Sequence, residues 1–178
     1  MAKVSLISLD LETCDLLLSA EPEPLMERHG ATLGCERQML RTIAGATREP
    51  LAQGQVTPRW WGYLTLDAKS RNVVGACGFK GAPNARGEVE IVCLTLPSRQ
   101  GKGYATAMTE SLLGLAWADP AVRRVVACTR PERDATTHLL EKNGFAFAEQ
   151  GVDPQGAEFW RWVAMRPAVQ PAVRPAQI

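Results

Sequence analysis

Apolar and polar positions along this chain fall into blocks of two periods, and the order of the blocks predicts the architecture. Residues 4–9 are apolar and β-branched, which predicts a short opening strand. Residues 11–39 place apolar side chains at helical spacing, but Glu21-Pro22-Glu23-Pro24, Gly30 and Gly34 divide that stretch into short helices. A further helix is expected from 36 to about 44, followed by loop around Pro50. Residues 60–66 alternate and carry large aromatics, 67–72 have turn chemistry, and 73–79 return as apolar strand. These form a hairpin with a third antiparallel partner at 88–96. A helix from 104 to about 118 is stopped by Asp119-Pro120, and 122–129 is a compact strand. Asp134 is a good N-cap for a helix running to Asn143, with Gly144 as its end. Strands at 145–149 and 158–164, joined by a turn at 151–156, close the pattern. The order predicts one α/β domain over 1–166 built on a mixed sheet, with a flexible Pro/Ala/Val-rich tail at 167–178.

Between the strand at 88–96 and the helix from 104 lies Gln100-Gly101-Lys102-Gly103-Tyr104-Ala105. A glycine-bearing turn that opens a helix directs several unpaired backbone N–H groups, and the positive end of the helix dipole, at one point in space. That is the chemistry of an anion site, most often a phosphate site. Three or four charge-assisted hydrogen bonds, each contributing roughly 1.5–3 kcal/mol, would hold a diphosphate. The glycine spacing is that of neither a Walker loop nor a dinucleotide fingerprint.

Composition narrows the class. A net charge of +1 with no Lys/Arg stripe gives no reason to expect a nucleic-acid partner. No apolar run approaches the roughly 20 residues needed to cross a bilayer, and the start of the chain lacks the pattern of a secretory signal. The five cysteines are scattered without CxxC spacing and only two histidines occur, so neither a metal site nor a disulfide framework is expected. A reduced, cytoplasmic setting fits.

The second half resembles the GNAT superfamily of acetyl-CoA-dependent N-acetyltransferases. Gln100-x-x-Gly103-x-Ala105 matches that family's Q/R-x-x-G-x-G/A signature, and Glu90-Ile91-Val92-Cys93 resembles its acidic fourth strand. Gly78-Phe79-Lys80-Gly81, Thr129-Arg130-Pro131-Glu132 and Leu139-Leu140-Glu141-Lys142-Asn143-Gly144-Phe145 are similar to the elements on either side. The similarity is greatest to the subgroup containing the ribosomal-protein N-terminal alanine acetyltransferases, covers about residues 73–165, and reaches residues 1–60 only in their order of elements. It implies about seven mostly antiparallel strands with a splayed parallel central pair, flanked by about four helices. It implies acetyl-CoA as co-substrate, its diphosphate on amides of Gln100, Gly101, Lys102, Gly103, Tyr104 and Ala105, and its pantetheine arm in the splay. An N–H near Cys93 or Leu94 would polarise the thioester carbonyl. The acceptor would be a protein N-terminus or a small-molecule amine, and the assembly a monomer or homodimer.

Acyl transfer to an amine needs a neutral nucleophile and benefits from a proton for the departing thiolate. Glu90 is the first candidate base and Glu88, two residues away on the same strand face, the second; solvation or pairing with Arg86 or Lys80 is the structural alternative for both. Many relatives have a tyrosine acid in the helix after the fifth strand, and this chain has none there. The nearest subgroup has N-x-x-S at the start of that helix, where Arg133 and Thr136 stand here. Thr136 is the candidate hydroxyl for the coenzyme sulfur, its alternative being a bond within the helix's first turn. Arg133 loses the amide that contacts the cofactor in relatives, although a guanidinium can reach a phosphate. Covalent transfer through Cys93 or Cys128 lacks a base partner in the sequence. Trp61 and Tyr63 alternate onto one face of their strand and are candidates for an amine pocket, with Trp60 on the other face. The alternative to an enzyme is a catalytically silent acyl-CoA-binding or sensing module.

Overall fold

The structure, a computed structural model, describes residues 2–21 and 23–167. The tail expected at 167–178 lies outside the described residues apart from Pro167. Strands β1 (Val4–Ser8), β2 (Gly62–Asp67), β3 (Val73–Phe79), β4 (Glu88–Thr95), β5 (Arg124–Thr129), β6 (Ala146–Val152) and β7 (Glu158–Met165) form one sheet. Their order is β1-β2-β3-β4-β5-β7-β6, and only β4 and β5 run parallel. Five α-helices occur among the described residues, one more than the resemblance implied: α1 (Leu11–Leu18), α2 (Glu23–His29), α3 (Arg37–Ala52), α4 (Tyr104–Trp117) and α5 (Ala135–Lys142). None of them is long and apolar enough to cross a membrane.

Each sheet face has its own apolar cluster. Met108, Leu112 and Ala116, four residues apart on α4, share one with Val89 and Ile91 of β4, Val125 of β5, and Trp162 and Ala164 of β7. Leu17 of α1, Leu25 of α2, and Leu40, Ala44 and Leu51 of α3 cover the other face at Leu64, Leu66 and Val73. Each fully buried leucine contributes about 1.5–3 kcal/mol relative to exposure, so the α4 stripe and its strand partners fix the helix that carries the glycine turn.

Two boundaries differ from the sequence reading, each for a packing reason. Helix α3 runs eight residues beyond Ala44 because its buried stripe continues through Thr47 to Leu51. Pro50 lies in its last turn, where the missing N–H costs a single ladder bond. Strand β2 begins at Gly62 rather than at Trp60, since Pro58 starts a 3₁₀ turn over Pro58–Trp60. The Trp61 carbonyl then accepts from Phe79 N–H at 2.7 Å. This close approach requires Gly78, where an added Cβ would meet the Trp61 oxygen at 2.0 Å. Gly78→Ala is expected to destabilise the fold by about 1–3 kcal/mol through this backbone clash. Chemical denaturation would detect it as a lower midpoint with an unchanged slope.

Candidate active site

The central parallel pair is short. β4 and β5 are in register at Glu88↔Arg124, Val89↔Val125 and Glu90↔Val126, then part. Beyond Glu90, β4 stays paired with β3 as far as Thr95, and β5 with β7 as far as Thr129. The phase of the ladders identifies the backbone groups released by the parting. Lys80 N–H donates to the Glu90 carbonyl and Leu96 N–H to the Val74 carbonyl, both at 2.9 Å, so the even-numbered residues of β4 bond to β3. Cys93 and Thr95 therefore turn their N–H and C=O into the gap. The bond from Arg166 N–H to the Arg123 carbonyl similarly gives β7 the odd residues of β5 and leaves Cys128 facing the gap. Of the two amides expected near the thioester, that of Cys93 faces the cleft; that of Leu94 belongs to the β3 ladder, while its side chain lines the wall.

The gap opens into a cleft of about 1000 Å³ that extends from the fork at Glu90 to the N-terminus of α4. Gln100, Gly101, Gly103, Tyr104, Ala105 and Thr106 line that end. Gly101 and Gly103 have φ of 72° and 81°, the left-handed region that glycine enters without strain. Gly103 is the N-cap of α4 and brings no side-chain bond, and the amides of residues 101–106 have no acceptor among the described residues. Arg99, Arg130 and Lys142 add positive charge to the walls, and among the described residues Glu90 is the only acidic one there. Thr95 Oγ1 is buried on the cleft without a partner among the described residues. Free amides, cationic walls and a released strand edge together fit an extended donor with an anionic end.

Glu90 stands where the strands part, 29% exposed, with Lys80 Nζ in an ion pair on its Oε1. A second cavity of about 340 Å³ meets the cleft here; Lys80, Glu90 and Cys128 line both. Glu88 lines only this second cavity, where Arg161 and Arg124 (3.1 Å) both pair with it. That engagement leaves Glu90 as the carboxylate at the fork. Burial raises the Cys128 thiol, and the neighbouring Glu90 charge adds to the effect. Cys93 is exposed as a residue, yet its sulfur lies 3.8 Å from Thr109 Oγ1 and desolvation pushes the thiol up to about 11. Neither cysteine is poised as a thiolate.

At the start of α5, Asp134 Oδ1 accepts from the N–H groups of Thr136 and Thr137, and the Thr137 hydroxyl closes a capping box. The local cap thus uses Thr137, and the Thr136 side chain is left on the cleft wall beside Ala127, Cys128 and Thr129. The other candidates lie elsewhere. Arg133 turns out to solvent and pairs with Glu141, two helical turns along, at 2.9 Å; it does not line the cleft. Lys102 Nζ donates to the Ser98 carbonyl at 3.3 Å, also off the cleft. Tyr63 belongs to the core, with its hydroxyl donating to the Arg59 carbonyl at 2.7 Å, and Trp61 packs on the cluster under α1–α3. Neither lines either cavity, and the two do not share a face as alternation predicted: the strand starts only at Gly62, so Tyr63 sits with Trp60 on the side α4 covers and Trp61 on the side of α1–α3. The sequence reading missed Thr95, Arg130 and Arg161 at these cavities; Thr95 and Arg130 had the signal of a position at a strand end, while Arg161, in the middle of β7, had none.

Known proteins agree with this geometry. The model of the acetyltransferase (GNAT) domain family matches residues 6–146. An uncharacterised N-acetyltransferase of Bacillus subtilis strain 168, YjdG, is 27% identical over 116 residues, which is 65% of this chain and, at 66%, just under two thirds of that protein. Among solved structures, a spermidine N-acetyltransferase SpeG chimera from Vibrio cholerae and hSSAT superposes with a TM-score of 0.61 at 15% identity, covering 92% of this chain and 96% of that one. The ribosomal L7/L12 α-N-protein acetyltransferase RimL, in complex with coenzyme A, gives 0.61 at 13% identity over 92% and 94% of the two chains. The chain belongs to the GNAT acetyltransferase family, a class of acetyl-CoA-dependent N-acetyltransferases.

Proposed function

We propose that this protein moves the acetyl group of acetyl-CoA to a primary amine, by direct attack while donor and acceptor are bound together. The carrying observation is the continuity from the unpaired amides at 101–106, through the parted β4 and β5, to a carboxylate at the fork. The donor supplies an activated thioester. The glycine turn holds its diphosphate, and the released edges of Cys93, Thr95 and Cys128 pair with its amide-bearing arm like an added strand. The Cys93 N–H polarises the acyl oxygen, and the Thr136 hydroxyl donates toward the departing sulfur. Glu90 takes the proton of the incoming ammonium, directly or through water, from the side of the second cavity. Raised Cys93 and Cys128 thiols argue against a covalent acyl-cysteine route.

SpeG acts on spermidine and RimL on a ribosomal protein's α-amine. The acceptor here is an amine of one of those two broad kinds, a small molecule or a protein N-terminus. The test is release of free thiol from acetyl-CoA across amino acids, peptides, polyamines and aminoglycosides. Amine-dependent release is expected for at least one class. Tight acetyl-CoA binding without turnover on any amine would instead leave a silent acyl-CoA-binding module.

A further inference from the structure

The glycine turn has almost no packing of its own. A Cβ on Gly101 would meet nothing within 4 Å, and one on Gly103 would meet only Ala2 Cβ at 3.8 Å. Burial therefore does not set its place; its two ends do. Just before the turn, Glu36, the residue preceding α3, accepts the Ser98 N–H on Oε1 and the Ser98 hydroxyl on Oε2, both at 2.7 Å. Lys102 Nζ reaches back to the carbonyl of the same Ser98. Just after the turn, the hydroxyl of Tyr104, first residue of α4, donates to Asp67 Oδ2 at 2.9 Å. Asp67 ends β2, and its Oδ1 accepts the N–H groups of Lys69 and Ser70 and the Ser70 hydroxyl. Asp67 thus joins the end of β2 to the start of α4, while Glu36 at the start of α3 gives both its oxygens to Ser98, and neither carboxylate lines either cavity. Hydrogen bonds from Ser98 hold the Glu36 pKa below its ordinary value, and those from Ser70 and Tyr104 take the Asp67 pKa down to about 2, so both stay ionised through the working range of pH.

A negative charge near a diphosphate site opposes anion binding, so two of them call for a compensating role. Converging amides lose much of their effect when displaced by about an ångström, which makes their placement that role. We propose that Glu36 and Asp67 are positioning residues that clamp the two ends of the donor turn and so set the affinity for the diphosphate of acetyl-CoA. This rests on the cleft being the acetyl-CoA site.

The experiment compares Glu36→Gln, Asp67→Asn and the double variant on two donors, acetyl-CoA and acetyl-pantetheine, which carries the same thioester without the diphosphate. In each single variant KM for acetyl-CoA should rise about tenfold, the size of one lost charge-assisted hydrogen bond, with kcat retained. KM for acetyl-pantetheine and for the amine should not move. An unchanged KM for acetyl-CoA overturns the clamp, and so does an equal loss on both donors, which would mean general damage to the fold. If the wild-type protein does not prefer acetyl-CoA to acetyl-pantetheine, the reading of the turn itself fails, and the clamp with it.

Discussion

Gly103→Glu is expected to abolish measurable coenzyme A binding while leaving the folded protein intact. The residue has φ of 81°, so any side chain there carries strain of roughly 1–2 kcal/mol. There is room for it, because the nearest atom to an added Cβ is Ala2 Cβ at ordinary contact distance. The new carboxylate would lie at the N-terminus of α4, where the helix dipole and unpaired amides favour a negative charge and offset part of that strain. What stabilises the variant fold is what removes the ligand: the amides would be engaged, and a diphosphate would meet a like charge. Losing two charge-assisted bonds at about 1.5–3 kcal/mol each raises Kd more than 100-fold. Titration calorimetry with coenzyme A reads this directly, and a thermal melt within a few degrees of wild type shows that the fold survives. Gly103→Ala separates the contributions, since it carries the strain without the charge and should weaken binding far less. Unchanged affinity in Gly103→Glu would remove the turn from the donor site.

The turn was legible in the sequence because its determinants are local: two glycines, a strand before and a helix after, all between Glu88 and Trp117. Strand β3 and helix α4 were legible for the same reason, as their periods are unbroken. Sites that depend on which neighbour wins a contact were not. Alternation put Trp61 with Tyr63 and Trp60 opposite, but the 3₁₀ turn over Pro58–Trp60 resets the phase, so Trp60 joins Tyr63 in the cluster under α4 and Trp61 joins the other. Thr136 and Thr137 are adjacent and chemically identical, and only the helix's starting angle decides that Thr137 closes the cap while Thr136 faces the cleft. Arg133 stands where the resemblance has a cofactor-contacting amide and was read as able to reach a phosphate instead, whereas it pairs with Glu141, two helical turns along. The clamp on the turn spans 62 residues from Glu36 to Ser98 and 37 from Asp67 to Tyr104. Separations of that kind are created by the sheet and leave no periodic trace in the chain.

Glu90→Gln is expected to lower kcat/KM by about 100-fold near neutral pH, the lower end of what a positioned base contributes, and by much less in alkali. The sign follows from the acceptor. Below its pKa the amine is an ammonium, and a group at the fork must take its proton before attack; above that pKa the free amine is already present. Wild-type and variant profiles should therefore converge as pH rises through the acceptor's pKa. For an α-amino acceptor that crossing lies near 7.7–8.0, and for a lysine-like amine near 10.4, so the pH of convergence also reports the acceptor class. The Lys80 ion pair fixes the place of the Glu90 carboxylate at the mouth of the second cavity. Replacement by the isosteric amide keeps the shape of the fork while removing the ability to take a proton and the charge that pairs with Lys80. Profiles that stay parallel at every pH would reduce Glu90 to a structural partner of Lys80, and identical profiles would take it out of the reaction altogether.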